Sequence, residues 1–290
     1  MSDILTYKLR SIQAKKFAES EDPTVKIRKP LDVVIDNDTR WLSQLYMIRR
    51  ALKLRPYLEI LLVQRRKDWR EENTLKNGRL KVKVQLPPIL QDKNKLTDAD
   101  WSILQVFAEL LQYFEGAVKT LEGDGIQCKR KRGTESYGNI WDVLIGYEFL
   151  LGHLEKAKSL INQYPEPEHF KVNINLAWKK LDQYYNKLND TPIYYATVAL
   201  HPAYHWGYFE VKWATKPEWI SMAKDMVKEL WEGEYKQQEV IMPDENDEPP
   251  AKRQKAVYYN AFQEYRDEQI LVSPSPLPTI SIFNEDEYER

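Results

Sequence analysis

The stretch Asp36–Ser43, DNDTRWLS, marks the point where the chain changes to a long helical pattern. Before it, Leu31–Asp36 (LDVVID) is short and rich in β-branched residues, which predicts one strand. After it, apolar residues recur at spacings of three and four from Leu42 to about Trp69, which predicts an amphipathic helix with basic side chains. Pro56 is expected either to kink this helix or to start a new one.

Helical patterns also fill most of the chain downstream. Apolar spacings predict helices over about residues 97–121, 139–163, 168–188, 192–200, 219–236 and 257–268. Thr97, with Asp100 three positions later, is typical of a capping box at the start of the first of these helices. Ten glycines in 290 residues favour helices over a turn-rich β architecture. The sequence therefore predicts a mainly α protein, with residues 70–95 as a polar, basic loop.

Composition divides the chain into four parts. Residues 1–30 form a polar N-terminal segment, which includes a short helical pattern. Residues 31–236 are predicted to form the folded domain. Residues 237–256 are rich in proline and change from acidic to basic, as is typical of a linker. Residues 257–290 are predicted to form a short helix followed by a disordered tail.

Composition also excludes several classes of protein. The 42% hydrophobic content and nine tryptophans are typical of a folded globular protein. No apolar run approaches the roughly 18 residues needed to span a membrane, and no secretory signal is evident, so an intracellular protein without a membrane partner is expected. The single cysteine, Cys128, excludes an intrachain disulfide, and we interpret it as inert. No phosphate-binding loop or dinucleotide fingerprint occurs, so no small-molecule substrate is expected.

Charge is distributed unevenly along the chain, although the formal net charge is −1. Residues 1–132 carry 27 Lys and Arg against 18 Asp and Glu, whereas residues 133–290 carry 16 against 26. Residues 40–83 hold 13 basic and 4 acidic side chains. A basic segment in a nearly neutral protein indicates a surface that faces a polyanion. The alternative is a set of solvated helix faces, balanced by the acidic half of the chain.

The opening stretch, Asp36–Ser43, resembles the D-x-x-T-R-W-x-S block of the hAT family of DNA transposases. Other stretches are similar to further family blocks and follow one another in the family's order. They are LTDADW at 96–101, LLQYFE at 110–115, LEGD at 121–124, SYGNIW at 136–141, LLGHLE at 150–155, Trp178 with Tyr184-Tyr185, and ALHP at 199–202. Together they cover about residues 8–235, and they look most like the fungal-type members.

The resemblance implies the helical insertion domain of an RNase H-like transposase, with at most one or two residual edge strands. In the family, three carboxylates on the RNase H-like sheet hold two divalent metal ions, Mg²⁺ or Mn²⁺. Two carboxylates precede the T-R-W block, and the third lies in a C-terminal dimerisation segment. Here 38 residues precede Thr39, and no stretch matches the BED-type zinc finger or the dimerisation segment. We therefore expect no catalytic residue, metal site or cofactor in this chain.

Arg40 and Trp41 are the residues that the resemblance places closest to DNA. In the family, an Arg-Trp pair lies beside the active site, and the Trp is thought to stack on a base at a hairpinned DNA end. An aromatic face can support an extruded base, and an arginine can pair with phosphate. The basic helix that follows adds Arg49, Arg50 and Lys53 as expected DNA contacts. In the alternative interpretation, Trp41 is a core anchor at the start of a helix.

Two other residue pairs have the spacing of metal ligands. Asp36 and Asp38 would share one face of a strand, but two acids do not complete a two-metal site. Capping of the next helix by Asp38 or Thr39 is the favoured interpretation. His201 and His205 are four residues apart, as in helical zinc sites. A proline lies between them and no third ligand is evident, so a structural role is favoured.

Two short basic clusters are similar to nuclear import signals. They are Lys129, Arg130, Lys131 and Arg132, and Lys252, Arg253 and Lys255. Both fall in predicted loops, which suits recognition by another molecule, and phosphate contact is the other interpretation. The clusters predict a nuclear protein.

These patterns favour a DNA-binding remnant of a cut-and-paste transposase, without autonomous catalysis. Its expected partners are DNA similar to a transposon end and other transposase subunits. The alternative is a helical protein-interaction scaffold with no DNA role, in which the acidic half is the binding face. A third hypothesis is an active nuclease that uses Asp36, Asp38 and a distant glutamate. It is the least favoured because one edge strand cannot fix the geometry of metal ligands.

Overall fold

The computed structural model describes residues 3–36, 42–81, 84–122, 138–238 and 260–272. Helices make up 77% of these residues, and no β-strand occurs among them. The mainly α fold predicted from the sequence is therefore confirmed. None of the described helices is long and apolar enough to cross a membrane.

Backbone contacts divide the chain into two compact units, Met1–Gln112 with Tyr164–Glu166 and Tyr113–Gln163 with Pro167–Arg290. The first unit contains helices α1 (Asp3–Glu19), α2 (Pro23–Lys26), α3 (Ser43–Asn73) and the beginning of α4 (Asp98–Leu121). The second contains the end of α4 and six further helices. They are α5 (Trp141–Ser159), α6 (Pro167–Tyr185), α7 (Ile193–Ala199), α8 (His205–Lys212), α9 (Pro217–Leu230) and α10 (Ala261–Val272).

Helix α3 forms the core of the first unit by packing on two other helices. Its middle part buries Leu54 and Leu61 against α1, where Leu9 is also fully buried. Nearer its start, Leu45 packs against Ala108 of α4. Complete burial of a leucine side chain contributes roughly 1.5–3 kcal/mol. Tertiary packing of this kind is what stabilises most helices in proteins.

Pro56 lies inside α3 without ending it, because the helix is continuous over 31 residues from Ser43 to Asn73. An internal proline removes a backbone hydrogen bond and costs roughly 3 kcal/mol or more. Buried Leu54 and Leu61 lie on either side of Pro56 and help to offset that cost. Of the two alternatives predicted for Pro56, the start of a new helix is therefore wrong. The predicted loop over 70–95 is wrong at its beginning, because α3 extends to Asn73.

Residues 31–36 form no regular secondary structure, so the predicted edge strand is wrong. A strand needs a neighbouring strand, and side chains bind this segment instead. The Gln13 amide of α1 donates to the Leu31 carbonyl over 2.8 Å and accepts from the Leu31 N–H over 2.9 Å. Arg50 of α3 donates to the Asp32 carbonyl over 2.6 Å. The segment is therefore held on α1 and α3 without sheet pairing.

Helix α4 begins at the predicted capping box. The Asp100 carboxylate accepts from the Thr97 N–H over 2.7 Å, and the Thr97 hydroxyl accepts from the Asp100 N–H over 3.2 Å. The hydrogen bonds from Thr97 lower the pKa of Asp100. Helices α4, α5, α6, α7, α9 and α10 all overlap helices predicted from apolar spacing.

An aromatic core organises the second unit around α5. Glu148 and Glu155 of α5 accept hydrogen bonds from Tyr185 and Trp178 of α6, so these two helices run antiparallel. Large side chains from the other helices fill the space beside α5. The buried aromatic residues of this core are Phe149, Tyr185, Tyr195, Tyr204, Trp206, Tyr208, Phe209, Trp213 and Phe262.

Helix α10 packs onto the second unit by its first two turns. Phe262 is fully buried, and its ring lies 5.1 Å from that of Phe149. The Asn260 side chain accepts from the N–H groups of Phe262 and Gln263, at 2.9 and 3.0 Å, and so caps the helix. One turn after Phe262, Arg266 lies 3.1 Å from the buried carboxylate of Asp142.

Candidate nucleic-acid interface

Three of the predicted DNA contacts lie close together near the start of α3. Arg49, Arg50 and Lys53 fall within five consecutive residues, just over one helical turn. Lys53 is exposed, whereas Arg49 and Arg50 are half-buried. Arg40 and Trp41 precede the helix and lie outside the described residues.

Arg50 also holds the segment that precedes α3. Its donation to the Asp32 carbonyl fixes the backbone of that segment. Arg10 donates from Nε to the Asp32 carboxylate over 2.7 Å, and this hydrogen bond lowers the pKa of Asp32 and raises that of Arg10. A guanidinium has five N–H donors, so one carbonyl contact orients Arg50 and does not use up its capacity to bind an anion.

The start of α3 differs from the capping prediction. Leu42 occupies the N-cap position and makes no side-chain capping hydrogen bond, so the helix begins after the residues predicted to cap it. Those residues, Asp38 and Thr39, lie outside the described part of the chain. Asp36 instead accepts a short hydrogen bond from the Ser43 hydroxyl in the first turn. A carboxylate at this end also interacts favourably with the helix dipole.

Of the two residue pairs with the spacing of metal ligands, the structure places His201 and His205, whereas Asp38 lies outside the described residues. Within the described ranges, no cluster of three or more His, Cys, Asp or Glu side chains could hold a metal ion. The His201 ring lies 5.0 Å from Trp141, and its Nδ1 accepts from the Ala203 N–H over 3.2 Å. His205 Nε2 is 2.7 Å from the Pro202 carbonyl. Both imidazole rings thus contact neighbouring groups of the second unit.

Ion pairs within the first unit engage much of the basic charge of α3. Most of these pairs are solvent-exposed and individually contribute little to stability, but each places a carboxylate beside a basic side chain. The pairs are Arg55 with Glu59 and Asp98, Arg65 with Glu72, Arg66 with Asp92, Lys67 with Glu71, and Lys8 with Asp68. Helical spacing accounts for the two pairs that lie four residues apart, Arg55–Glu59 and Lys67–Glu71. The pairs that join distant residues, such as Arg66–Asp92, could not be predicted from the sequence.

Between residues 40 and 83, four basic side chains are solvent-exposed and form no ion pair or side-chain hydrogen bond within the part of the chain that the structure describes. They are Lys53, Arg70, Lys76 and Arg79. Lys53 belongs to the predicted DNA contact. The other three follow at the end of α3 and just beyond it, where the sequence predicted a basic loop without naming a site.

The two predicted import-like clusters cannot be placed in the fold. Lys129, Arg130, Lys131 and Arg132 lie outside the described residues, as do Lys252, Arg253 and Lys255. Cys128 lies outside them as well.

A polar cluster in the second unit was missed by the sequence reasoning. Glu148 accepts from the hydroxyl of Tyr185 and, over 2.9 Å, from the indole N–H of Trp213. Burial and the neighbouring Glu148 raise the pKa of Tyr185. These groups come from three helices or helix ends and are far apart in sequence, so no spacing rule connects them. The two hydrogen bonds connect α5 with α6 and with the end of α8, so we assign the cluster a role in stabilising the fold.

No model of a known protein family, no curated protein and no solved structure matches this chain.

Proposed function

We propose that this chain is the DNA-binding helical region of an hAT-type transposase, of the fungal type, without autonomous DNA cleavage. The observation that carries the proposal is the ordered series of family-like blocks that begins at Asp36–Ser43. Its 290 residues include no match to the family's carboxylate blocks. In the parent family, cleavage with Mg²⁺ or Mn²⁺ depends on those blocks, so we assign no catalytic residue within these 290 residues.

The helical architecture supports the proposal in two ways. The finer fold assignment, an insertion domain of an RNase H-like transposase, requires a long helix directly after the T-R-W block, and α3 begins two residues after Trp41. The exposed Lys53 and the half-buried Arg49 and Arg50 supply cations on that helix. Arginine and lysine contacts to phosphate dominate the affinity of most DNA-binding proteins.

The proposed partners follow from the same assignment. DNA similar to a transposon end would contact Arg40, Trp41 and the first turns of α3, and other transposase subunits would supply the catalytic groups. The two basic clusters, at 129–132 and 252–255, are proposed to direct the protein to the nucleus.

Binding of a hairpin-ended duplex, compared with a plain duplex of the same sequence, tests this function. Trp41→Ala is expected to weaken hairpin binding by roughly 5- to 100-fold, since base stacking contributes about 1–3 kcal/mol, and to leave plain duplex binding nearly unchanged. Arg40→Ala is expected to weaken both, because it removes a phosphate contact. Fluorescence anisotropy at several salt concentrations provides the measurement.

Trp231→Ala is the matched control, because it removes a partly exposed tryptophan from the second unit. Equal effects of Trp41→Ala and Trp231→Ala on hairpin binding would contradict a specific role for Trp41. Absence of duplex binding at low salt, by a protein with a folded circular dichroism spectrum, would remove the DNA function altogether.

A helical protein-interaction scaffold is the second candidate function. The observation that favours it is an apolar pair on α6, where Val172 and Leu176 are 57% and 61% exposed and lie one turn apart. Apolar side chains at this spacing are typical of helix-to-helix recognition. Under this alternative, Arg40→Ala and Trp41→Ala leave partner binding intact, whereas Val172→Asp weakens it.

A further inference from the structure

After α3 ends at Asn73, the chain reverses direction in a hydrogen-bonded loop. We call this loop, residues 74–81, the basic hairpin. Thr74 and Leu80 face each other in an antiparallel bridge. The Leu75 N–H donates to the Arg79 carbonyl and the Gly78 N–H donates to the Leu75 carbonyl, each over 2.8 Å. The Lys81 N–H then donates to the Asn73 carbonyl over 2.9 Å, at the end of α3. The loop is therefore a tight turn closed by one antiparallel bridge, and it is joined directly to a long helix.

Side chains and one glycine fix the conformation of the basic hairpin. Gly78 has a φ of 77°, in the left-handed region that other residues adopt only at a cost. The Asn77 side chain accepts from the Arg79 N–H over 3.1 Å. The Lys81 ammonium donates to the Glu72 carbonyl in the last turn of α3, over 2.7 Å. The basic hairpin is therefore anchored at its base and at its tip.

The charge on this part of the molecule is positive and unbalanced. Glu71 and Glu72, the nearest acidic residues in sequence, pair with Lys67 and Arg65 on α3 itself. Arg70, Lys76 and Arg79 are exposed, and none of them contacts a carboxylate in the described part of the chain. Two cations of the basic hairpin and one in the last turn of α3 thus have no carboxylate partner among the described residues.

We propose that the basic hairpin is a second DNA-contacting element, which binds the phosphates of duplex DNA through Lys76 and Arg79. This inference rests on the proposed DNA-binding function and adds residues outside the T-R-W region. The major groove admits a two-stranded β-ribbon, so it has room for this smaller turn, and basic side chains at the groove can reach phosphates. A fixed loop also loses less conformational entropy on binding than a flexible one.

Two exposed leucines of the basic hairpin are also compatible with binding to duplex DNA. Leu75 and Leu80 are 44% and 52% exposed on either side of the tip. In a groove they would lie against sugar carbons and base methyl groups, which are the apolar surfaces that DNA offers. Two leucines on a tight turn bury too little surface for stable insertion into a membrane. Duplex DNA is therefore the occupant that matches both the cations and the leucines.

The salt dependence of binding to a plain duplex tests the inference. Each phosphate contact contributes about 0.9 to the slope of log affinity against log salt concentration. Lys76→Ala/Arg79→Ala is expected to reduce that slope by about 2 and to weaken binding at low salt by roughly 10- to 100-fold. Lys180→Ala/Lys187→Ala is the matched control, because it removes two cations that lie over the Tyr184 ring in the second unit. Its slope is expected to equal that of the wild type.

Substitution of Gly78 tests whether duplex binding depends on the conformation of the basic hairpin as well as on its charge. Gly78→Ala keeps every cation, and no atom lies within 4 Å of the added Cβ, so the change acts through backbone φ alone. It is expected to weaken duplex binding several-fold, because alanine disfavours the left-handed conformation. Gly78→Asn should restore most of the affinity, since asparagine tolerates that conformation better.

The outcomes distinguish this inference from the proposed function. If the wild type binds duplex DNA and the Lys76→Ala/Arg79→Ala slope is unchanged, the basic hairpin is not a DNA contact, although DNA binding stands. If the wild type binds no duplex, both proposals fail together. If polyglutamate competes as strongly as DNA at equal charge concentration, the hairpin is a general polyanion site and the assignment to DNA is overturned.

Discussion

Glu148 shows how one side chain organises the core of the second unit. Its carboxylate accepts from Tyr185, 37 residues away, and from Trp213, 65 residues away. Both donors belong to buried aromatic residues that pack around α5. A buried donor without an acceptor loses its hydration without compensation, at roughly 1–3 kcal/mol for each group.

Glu148→Ala is therefore expected to lower the free energy of unfolding by about 2–4 kcal/mol, because two buried donors lose their acceptor. Glu148→Gln keeps one oxygen acceptor but removes its charge, and should lower the free energy of unfolding by about 1 kcal/mol. Urea unfolding followed by tryptophan fluorescence measures both changes. Equal losses for the two variants would show that the side-chain volume, rather than the hydrogen bonds, is what matters at this position.

Residue contacts could be predicted from the sequence where they are local. The Thr97–Asp100 capping box spans four residues, and it was predicted and found. Glu148 and its partners meet only after several helices have packed, so their association depends on the tertiary fold. The ion pair between Arg66 of α3 and Asp92 could not be predicted from the sequence for the same reason.

At the scale of the element, α10 is joined to the second unit by a small number of strong contacts. Phe262 fills a fully buried position, with its ring 3.6 Å from the place that a Cβ on Gly146 would occupy. Arg266 and Asp142 are 3.1 Å apart without a linear hydrogen bond, so they attract mainly as charges in a buried setting. Removal of one partner from a buried pair leaves an uncompensated charge.

Phe262→Ala is expected to release α10 from its site, with a loss of about 3–5 kcal/mol in the free energy of unfolding of the docked helix. Hydrogen exchange of residues 261–272 should increase strongly, while exchange in α5 should change much less. Leu271→Ala is the control, because this side chain is 85% exposed on the same helix. Protection of α10 that survives Phe262→Ala would show that other contacts hold the helix.

Elements were predicted best where apolar spacing extends over several turns. Helix α4 matched its prediction within one residue, because Trp101 and Ala108 lie on a regular buried face. The LDVVID segment was misassigned, because β-branched composition favours a strand only when a partner strand exists. Of the two alternatives for Pro56, the start of a new helix was wrong, because the packing of α3 on α1 offsets the lost hydrogen bond, which is a tertiary effect.

At the scale of the whole molecule, hydrogen-bonded carboxylates and one histidine act on stability in different pH ranges. Hydrogen bonds lower the pKa values of Asp22, Asp32, Asp68 and Asp100 below their ordinary value of 3.8. A carboxylate of this kind stabilises the folded state above its ordinary pKa, and that stabilisation disappears as the pH falls through the lowered value. These groups therefore act only in strongly acidic solution.

His153 acts at milder pH. Its ring stacks on Tyr113, with ring centroids 3.4 Å apart, and its Nε2 is buried without a hydrogen-bond partner among the described residues. Burial, with a smaller contribution from Lys156, lowers the pKa of His153 from 6.5 to about 4. The unfolded chain then binds a proton between these two values that the folded chain does not. Stability should consequently be complete above pH 6.5 and should fall as the pH decreases toward about 4.

The expected loss over that range is about 1–2 kcal/mol, after allowance for the partial exposure of the ring to solvent. His153→Phe keeps an aromatic ring against Tyr113 and removes the titrating group, so its stability should vary little between pH 6.5 and 4.5. Urea unfolding at a series of pH values, monitored by tryptophan fluorescence, measures both proteins. Parallel pH profiles for the wild type and His153→Phe would assign the acid sensitivity to other groups. A difference that develops only below pH 6.5 would instead identify His153 as the group that limits the stability of the second unit in mildly acidic solution.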